Sequence, residues 1–524
     1  MHFYLRLLRS YLENKRGGEV LSVTQSATLI GIEAILVSVE VEVSCKLPAI
    51  NIVGLPDNAV KESRERIRVA IQQCGFQLPN RRITVNLAPA DVRKEGAAFD
   101  LPIAIGILKS TGQLETKRDG EYLLLGELSL SGGLRPITGA LSVGILARKL
   151  GKRGVILPRQ NVLEISCVSE IEVIGADSLV EAAAFLAGEK ELHPDQGGVS
   201  RVLEFPLRKR SDLDLNQVIS QAHAKRALEI AAAGGHHLLL IGSPGCGKTM
   251  LAERLPTILP SLTVEEMLET SQIYSALGML TPDVPLVMER PFCAPHHTVT
   301  KCGLIGGGQV PKPGSASLAH NGVLFLDELG EFDRPFIDAL RQPMESGKIV
   351  ISRLRYSYSF PAKFQLIAAM NPCLCGYLLG GPKECSCSLP EIRQYKSRVS
   401  GPILDRIDLR VELPPVALDE LTRGTAGEPS AVIRERVEEA RLILLKEGMP
   451  IHRRELLRRC APSVLSLLKA YHQKLHFSAR GYQSLFSIAQ TIAALERESA
   501  MREDHLLEAM QYRSPVVERL GEAA

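Results

Sequence analysis

The chain has 524 residues, 45% of them hydrophobic and 23% charged, with a net charge of +3. That length exceeds the roughly 250–300 residues at which single cores stop growing, so about three domains are expected, and so small a charge leaves any nucleic-acid surface local rather than global. No run of about 18 uncharged apolar residues could span a bilayer, and the eleven cysteines come without a secretory leader, so reduced thiols, a cytoplasmic location and no membrane partner are expected.

Phe3–Leu12 is apolar but broken by Arg6 and Arg9, which reads as an amphipathic tail, and residues 1–19 are expected to form an N-terminal extension. From Val20 to about Gly188, short β-like runs alternate with helical ones, predicting an α/β or α+β domain. The alternation from Val37 to Val43 turns one apolar face inward, and Gly54-Leu-Pro-Asp57 supplies a turn and an N-cap for a helix over Asn58 to Cys74. Ile52-Val-Gly-Leu-Pro-Asp57, Val85-Asn-Leu-Ala-Pro-Ala-Asp91 and Lys94-Glu-Gly-Ala-Ala-Phe-Asp-Leu-Pro102 resemble the N-terminal domain of the ComM/YifB family, itself similar to the Lon protease domain. The resemblance puts the position of the Lon nucleophile at Ala97 or Ala98, neither of which can attack a carbonyl, and leaves no lysine near Pro136–Leu141. It therefore implies a non-proteolytic platform for partners or assembly, or a domain kept for oligomer geometry alone.

Residues 189–212 lack periodicity and read as a linker, followed by an Ala-rich helix over Asn216–Ala233 that ends at Gly234-Gly235. The apolar run Leu238–Ile241 then leads into Gly242-Ser-Pro-Gly-Cys-Gly-Lys-Thr249-Met250. Glycines at these spacings let successive backbone N–H groups cradle a polyphosphate at a helix N-terminus, with Lys248 reaching the β/γ-phosphates and Thr249 ligating Mg²⁺. The strand Gly322–Leu326 ends in Asp327-Glu328, carboxylates placed to hold Mg²⁺ through water and to activate the attacking water. A third apolar strand, Phe364–Met370, ends in Asn371, suited to orienting that water.

Pro295-His-His-Thr298, Gly303-Leu-Ile-Gly-Gly-Gly308, Ser317–Gly322 and Ala369-Met-Asn-Pro-Cys373 also match the ComM/YifB proteins, magnesium-chelatase-like members of the AAA+ class, and the resemblance runs from Leu21 to Arg513. It implies that Arg406, in Ser400-Gly-Pro-Ile-Leu-Asp-Arg-Ile-Asp-Leu409, is an arginine finger acting in a neighbouring subunit, with Arg398 as rival, and that Arg480 in Ser478-Ala-Arg-Gly-Tyr482 is the sensor-2 arginine at the γ-phosphate. A finger acting in trans requires a ring, expected to be a hexamer. Two further stretches carry cations: the loop Thr300–Gly314 with Lys301 and Lys312, and an expected hairpin over Gly347–Phe360 with Arg353 and Arg355. Either they line a pore and grip DNA phosphates, or they are solvated faces. Cys373, Cys375, Cys385 and Cys387 form two C-x-C pairs across a glycine-rich turn, suited to tetrahedral zinc, with free thiols as the alternative.

The expected architecture is α/β: an AAA+ P-loop core over 213–414 with a Cys-rich insertion at 373–387, a Lon-like domain over 20–188, a second linker over 415–430 and a C-terminal helical lid over 431–524. ATP hydrolysis follows from the residues. The resemblance adds branched or single-stranded DNA as partner and branch migration in recombination of transformed DNA as function, with a chelatase-type metal-insertion motor or an ATP-switched scaffold as alternatives.

Overall fold

A computed structural model describes residues 20–194, 213–353, 357–416, 427–446, 464, 479–498 and 500–513. The chain divides into two compact units, one built on Met1–Pro206 with Tyr274–Leu286, the other on Leu207–Ile273 with Val287–Ala524. Residues 274–286 lie inside the span read from sequence as ATPase core, yet they cluster with the first unit.

In the first unit, Val20–Ile30, Glu33–Ser44 and Arg82–Ala88 pair antiparallel in that order, and Ala49–Val53 adds parallel to Arg82–Ala88 at the edge. Val37, Val39, Val41 and Val43 are buried while their alternating neighbours are not, as the period of two requires. Asp57 caps the helix Asn58–Gln73 by accepting the Val60 N–H at 2.8 Å, and Val60, Ile67 and Ile71 pack onto the sheet's buried face. Gly54 must be glycine, because its φ is +98° and an added Cβ would stand 2.2 Å from the Leu87 carbonyl oxygen. The helix Asp100–Ser110 is apolar almost all round and buried accordingly. A three-stranded parallel sheet, in the order Tyr122–Leu124, Gly154–Pro158, Glu172–Ala176, and a two-stranded antiparallel pair, Glu127–Leu128 with Leu134–Arg135, belong to the same unit. From the segment 274–286, Ser275 donates its hydroxyl to the buried carboxylate of Glu164, which also accepts from the Leu141 N–H and the Asn161 amide.

The second unit is organised on a five-stranded sheet in the order Phe292–Cys293, Val323–Leu326, Gln365–Met370, Leu238–Gly242, Leu409–Leu413, every neighbouring pair parallel. Its three inner strands are buried along their whole length, which is why they read as continuous apolar runs rather than alternating ones. The Ala-rich helix spans Ala222–Gly234 and starts later than its composition suggests. Residues 215–217 form a separate 3₁₀ turn, and Ser220 and Gln221 both take positive φ, which an α-helix cannot absorb. At its other end Gly235 closes the helix in the left-handed region, as the Gly234-Gly235 pair predicts. The helices Ser430–Lys446, Ala479–Leu495 and Glu503–Gln511 pack on it through Val437, Ile488, Ile492 and Leu506. No helix among the described residues is long and apolar enough to cross a membrane.

Candidate functional site

The site forms where three parallel strands end side by side. Leu238–Gly242 lies between Gln365–Met370 and Leu409–Leu413, and Val323–Leu326 pairs with the far side of Gln365–Met370. Parallel strands deliver their carboxyl ends to one edge, so Gly242, Asp327 and Asn371 emerge together. Residues 243–247 form the turn, Gly245 and Gly247 take φ of +80° and +91°, and the helix Lys248–Ile258 begins at once with its N–H groups directed into the turn.

Within this edge the sequence-predicted residues meet. Lys248 Nζ donates to the carbonyls of Gly242 at 2.7 Å and Ser243 at 3.0 Å and to Asn371 Oδ1 at 3.2 Å. The Thr249 hydroxyl donates to Asp327 Oδ2 at 2.7 Å across 78 residues of sequence. These two oxygens are the hard donors that Mg²⁺ prefers, so the pair fits the ion that the motif implies. An added Cβ at Gly245 or Gly247 would meet nothing within 4 Å, leaving the hollow of the turn open for phosphate oxygens. Cys246 is buried beneath the turn, and burial pushes its thiol up, which makes it packing rather than a nucleophile. Met250 lies at the surface on the first turn of the helix.

Glu328 is exposed and takes φ of +52°, a conformation rare for a side chain of this kind. Its backbone N–H donates to Asp327 Oδ1 at 2.9 Å. His297 Nδ1 lies 3.9 Å from Glu328 Oε2, and its ring sits 4.1 Å from that of His296 and edge-on to Phe332. Nothing in the spacing of Pro295-His-His-Thr298 announces this approach; only the pairing of Phe292–Cys293 with Val323–Leu326 produces it.

Arg406 and Arg480 converge on one carboxylate, that of Glu345. Arg406 donates to Glu345 Oε1 at 2.6 Å and to the Pro402 carbonyl at 2.6 Å, and Arg480 donates to the same Oε1. Arg480, then Arg406, hold the Glu345 carboxyl below its ordinary range. Arg398, the rival finger, instead donates to the Gly330 carbonyl at 3.0 Å and to Glu331 at 3.2 Å.

The Thr300–Gly314 stretch contains a short helix, Lys301–Ile305, and a return at Gly307 and Lys312. The expected hairpin forms as Lys348–Ser352 against Ser357–Pro361. Arg353 donates to the Gly308 carbonyl at 2.8 Å, so the two basic stretches adjoin, with Lys301, Lys312 and Arg353 exposed. Arg355 lies outside the described residues.

The four cysteines also converge. Cys373 Sγ lies 3.4 Å from Cys375 Sγ and 3.7 Å from Cys385 Sγ, the latter two are 3.5 Å apart, and the Cys375 N–H donates to Cys387 Sγ at 3.3 Å. All four sulfurs fall within 4.8 Å of one another, a set able to hold a metal ion.

Comparison with known proteins agrees with this layout. The family described as Magnesium chelatase, subunit ChlI, matches residues 214–421, its C-terminal part matches 427–513, and Subunit ChlI of Mg-chelatase matches 39–161. The chain is 43% identical over 504 residues to the Competence protein ComM of Haemophilus influenzae, covering 95% of this chain and 98% of that protein. It is 41% identical to YifB of Escherichia coli over 94% of this chain and 97% of that one. A magnesium-chelatase 38 kDa subunit of Chlorobaculum parvum is 28% identical over 159 residues, 26% of this chain and 45% of that protein. With 41–43% identity over nearly the full length of two members, and residues 214–421 matching the chelatase family, the chain belongs to the ComM/YifB family of magnesium-chelatase-like AAA+ proteins.

Proposed function

We propose that this protein is an ATP-hydrolysing ring motor that acts on DNA, and that its ring is completed by arginines given from one subunit to the next. The observation that carries the ATPase reading is the convergence of Lys248, Thr249, Asp327, Glu328 and Asn371 at one sheet edge. ATP would supply the phosphoanhydride bond, and Mg²⁺ would offset the charge of its phosphates. Lys248 would exchange its carbonyl partners for phosphate oxygens, Thr249 and Asp327 would hold the metal, Glu328 would take the proton of the attacking water, and Asn371 would orient that water. Arg406 and Arg480 are proposed to serve a neighbouring subunit together, which their shared partner Glu345 supports.

DNA as the client is supported by the name of the Haemophilus relative and by the adjoining basic stretches with Lys301, Lys312 and Arg353, to which Arg355 belongs by sequence. Branch migration during recombination is the proposed use, in a cytoplasmic hexamer. Residues 20–188 are proposed as a Lon-like platform without protease chemistry: Ala97 and Ala98 fall in a 3₁₀ turn and neither carries a nucleophile. The cysteine cluster is proposed to hold structural zinc. A second reading, a chelatase-type metal-insertion motor, is favoured by the match of residues 214–421 to ChlI.

The test is ATP turnover with and without forked or four-way-junction DNA, beside Glu328→Gln. Loss of the base should lower kcat about 10²–10⁴-fold. Stimulation by branched DNA, absent in the variant, supports the DNA motor. Turnover indifferent to every DNA, yet abolished by Glu328→Gln, keeps the ATPase and moves the assignment to the chelatase-type reading.

A further inference from the structure

The cysteine-rich insertion is placed against the phosphate turn. Cys373 follows Asn371 by two positions, so the insertion is rooted at the residue that contacts Lys248. Its path then crosses the turn: a Cβ added to Gly376 would come within 2.7 Å of Pro244 Cδ, and Ser243 donates its hydroxyl to the Gly380 carbonyl at 2.5 Å. Cys385 and Cys387 lie at the far end and return to the root. The loop from Cys375 to Cys385 is thus laid over residues 243–244 and fastened at both ends by sulfur.

The spacing of the sulfurs suits a metal. Zinc bonded to four thiolates at about 2.3 Å in a tetrahedron places them about 3.8 Å apart. Three of the sulfur separations, 3.4, 3.5 and 3.7 Å, approach that edge. The Cys375 N–H directed at Cys387 Sγ is the kind of outer hydrogen bond that stabilises a metal-bound thiolate. On loading, the thiol protons pass to solvent as Zn²⁺ takes their place, and no electron is transferred. Without the ion, a loop containing Gly376, Gly380 and Gly381, all at positive φ, relies on the Ser243 hydrogen bond and packing contacts to stay over the turn.

We infer that Zn²⁺ at Cys373, Cys375, Cys385 and Cys387 is a clamp that fixes the phosphate turn and Asn371, so that metal occupancy controls turnover. The inference rests on the reading of residues 242–249 as the ATP site, and its test keeps the two separable. The full-length protein, purified without added zinc, is assayed for metal by mass spectrometry. It is then stripped with a chelator that spares Mg²⁺, and compared before and after by hydrogen exchange over 242–249 and by steady-state ATPase.

The expected result is about one zinc per chain, faster exchange over 242–249 after stripping, and kcat lowered about 10–100-fold with KM nearly unchanged, all reversed by Zn²⁺ alone. Cys385→Ser with Cys387→Ser should reproduce the stripped state. Ser243→Ala should keep its zinc while exchange over 242–249 no longer responds to it, an outcome that misfolding of the cysteine variant cannot imitate. Protein that neither contains nor takes up zinc overturns the proposal, as does stripping that leaves exchange over 242–249 unchanged. Zinc-dependent exchange in a protein that never hydrolyses ATP keeps the clamp and discards the ATPase reading.

Discussion

Glu345 is an exposed carboxylate that takes guanidinium donors from both Arg406 and Arg480, two residues 74 positions apart in sequence. Its own strength as an ion pair is small, since water screens it. Its consequence is geometric: one side chain sets the position of two arginines proposed to reach the same neighbouring site. Replacing Glu345 by Ala should lower kcat about tenfold with little change in melting temperature, whereas Arg406→Ala, which removes the proposed finger itself, should cost about 10³-fold. Equal losses in the two variants would show that Glu345 does more than hold the arginines. Gly54 gives a prediction of the opposite kind, on stability. Gly54→Ala forces a side chain into φ of +98° and against the Leu87 carbonyl, and should destabilise the first unit by about 2–4 kcal/mol in chemical denaturation. The motif residues at 242–249, 327–328 and 371 were legible in the sequence because each follows a strand buried on both faces, whose apolar run frames the polar residue after it. His297 and Glu345 were not, because neither belongs to a spaced motif and their partners are supplied by other parts of the fold.

At the scale of elements, the strand Gln365–Met370 is held by histidines. The Leu366 N–H donates to His237 Nδ1 at 2.9 Å, and the Lys363 N–H just before the strand donates to His320 Nδ1 at 3.1 Å. An Nδ1 that accepts a hydrogen bond carries no proton, and burial lowers the pKa of both rings, opposed at His237 by Asp408 and at His320 by Glu269. The sign follows directly. A histidine whose folded pKa lies below its unfolded value of about 6.5 binds more protons when unfolded, so stability is level above that pH and falls as the pH drops through it. The ATPase unit should therefore lose melting temperature between pH 7 and pH 5.5, and His320→Gln should reduce that slope even if it lowers stability at pH 7.5. An unchanged slope in the variant would assign the acid sensitivity elsewhere. The strands of this sheet could be read from composition, and so could the Lys348–Pro361 hairpin, within two residues of its ends. The start of the Ala-rich helix could not, because residues 216–221 hold no Gly or Pro to mark the break that Ser220 and Gln221 make by turning left-handed.

For the whole molecule, the assembly reading makes a prediction that a single polypeptide cannot meet. Arg406→Ala lacks a finger but retains an intact phosphate turn, and Lys248→Ala has the reverse defect. Mixing the two inactive proteins should restore part of the wild-type ATPase rate if the arginine acts in trans, and nothing if it acts within its own chain. The allocation of 274–286 was not legible in the sequence. Val264–Ala276 reads as one continuous helix, and no local signal says that its last residues cluster with a different unit from its first.

That allocation means the polypeptide passes from one unit to the other three times, after 206, after 273 and after 286. A gene cut anywhere in 189–212 would therefore not release the two units as independent pieces. The fragment bearing the first unit would lack Ser275, leaving the buried Glu164 carboxylate without one of its hydrogen-bond donors. Insertions, fusions and truncations that respect linear boundaries should accordingly yield unstable first-unit fragments. Inheritance of these parts, whatever each one does, is bound to a single reading frame.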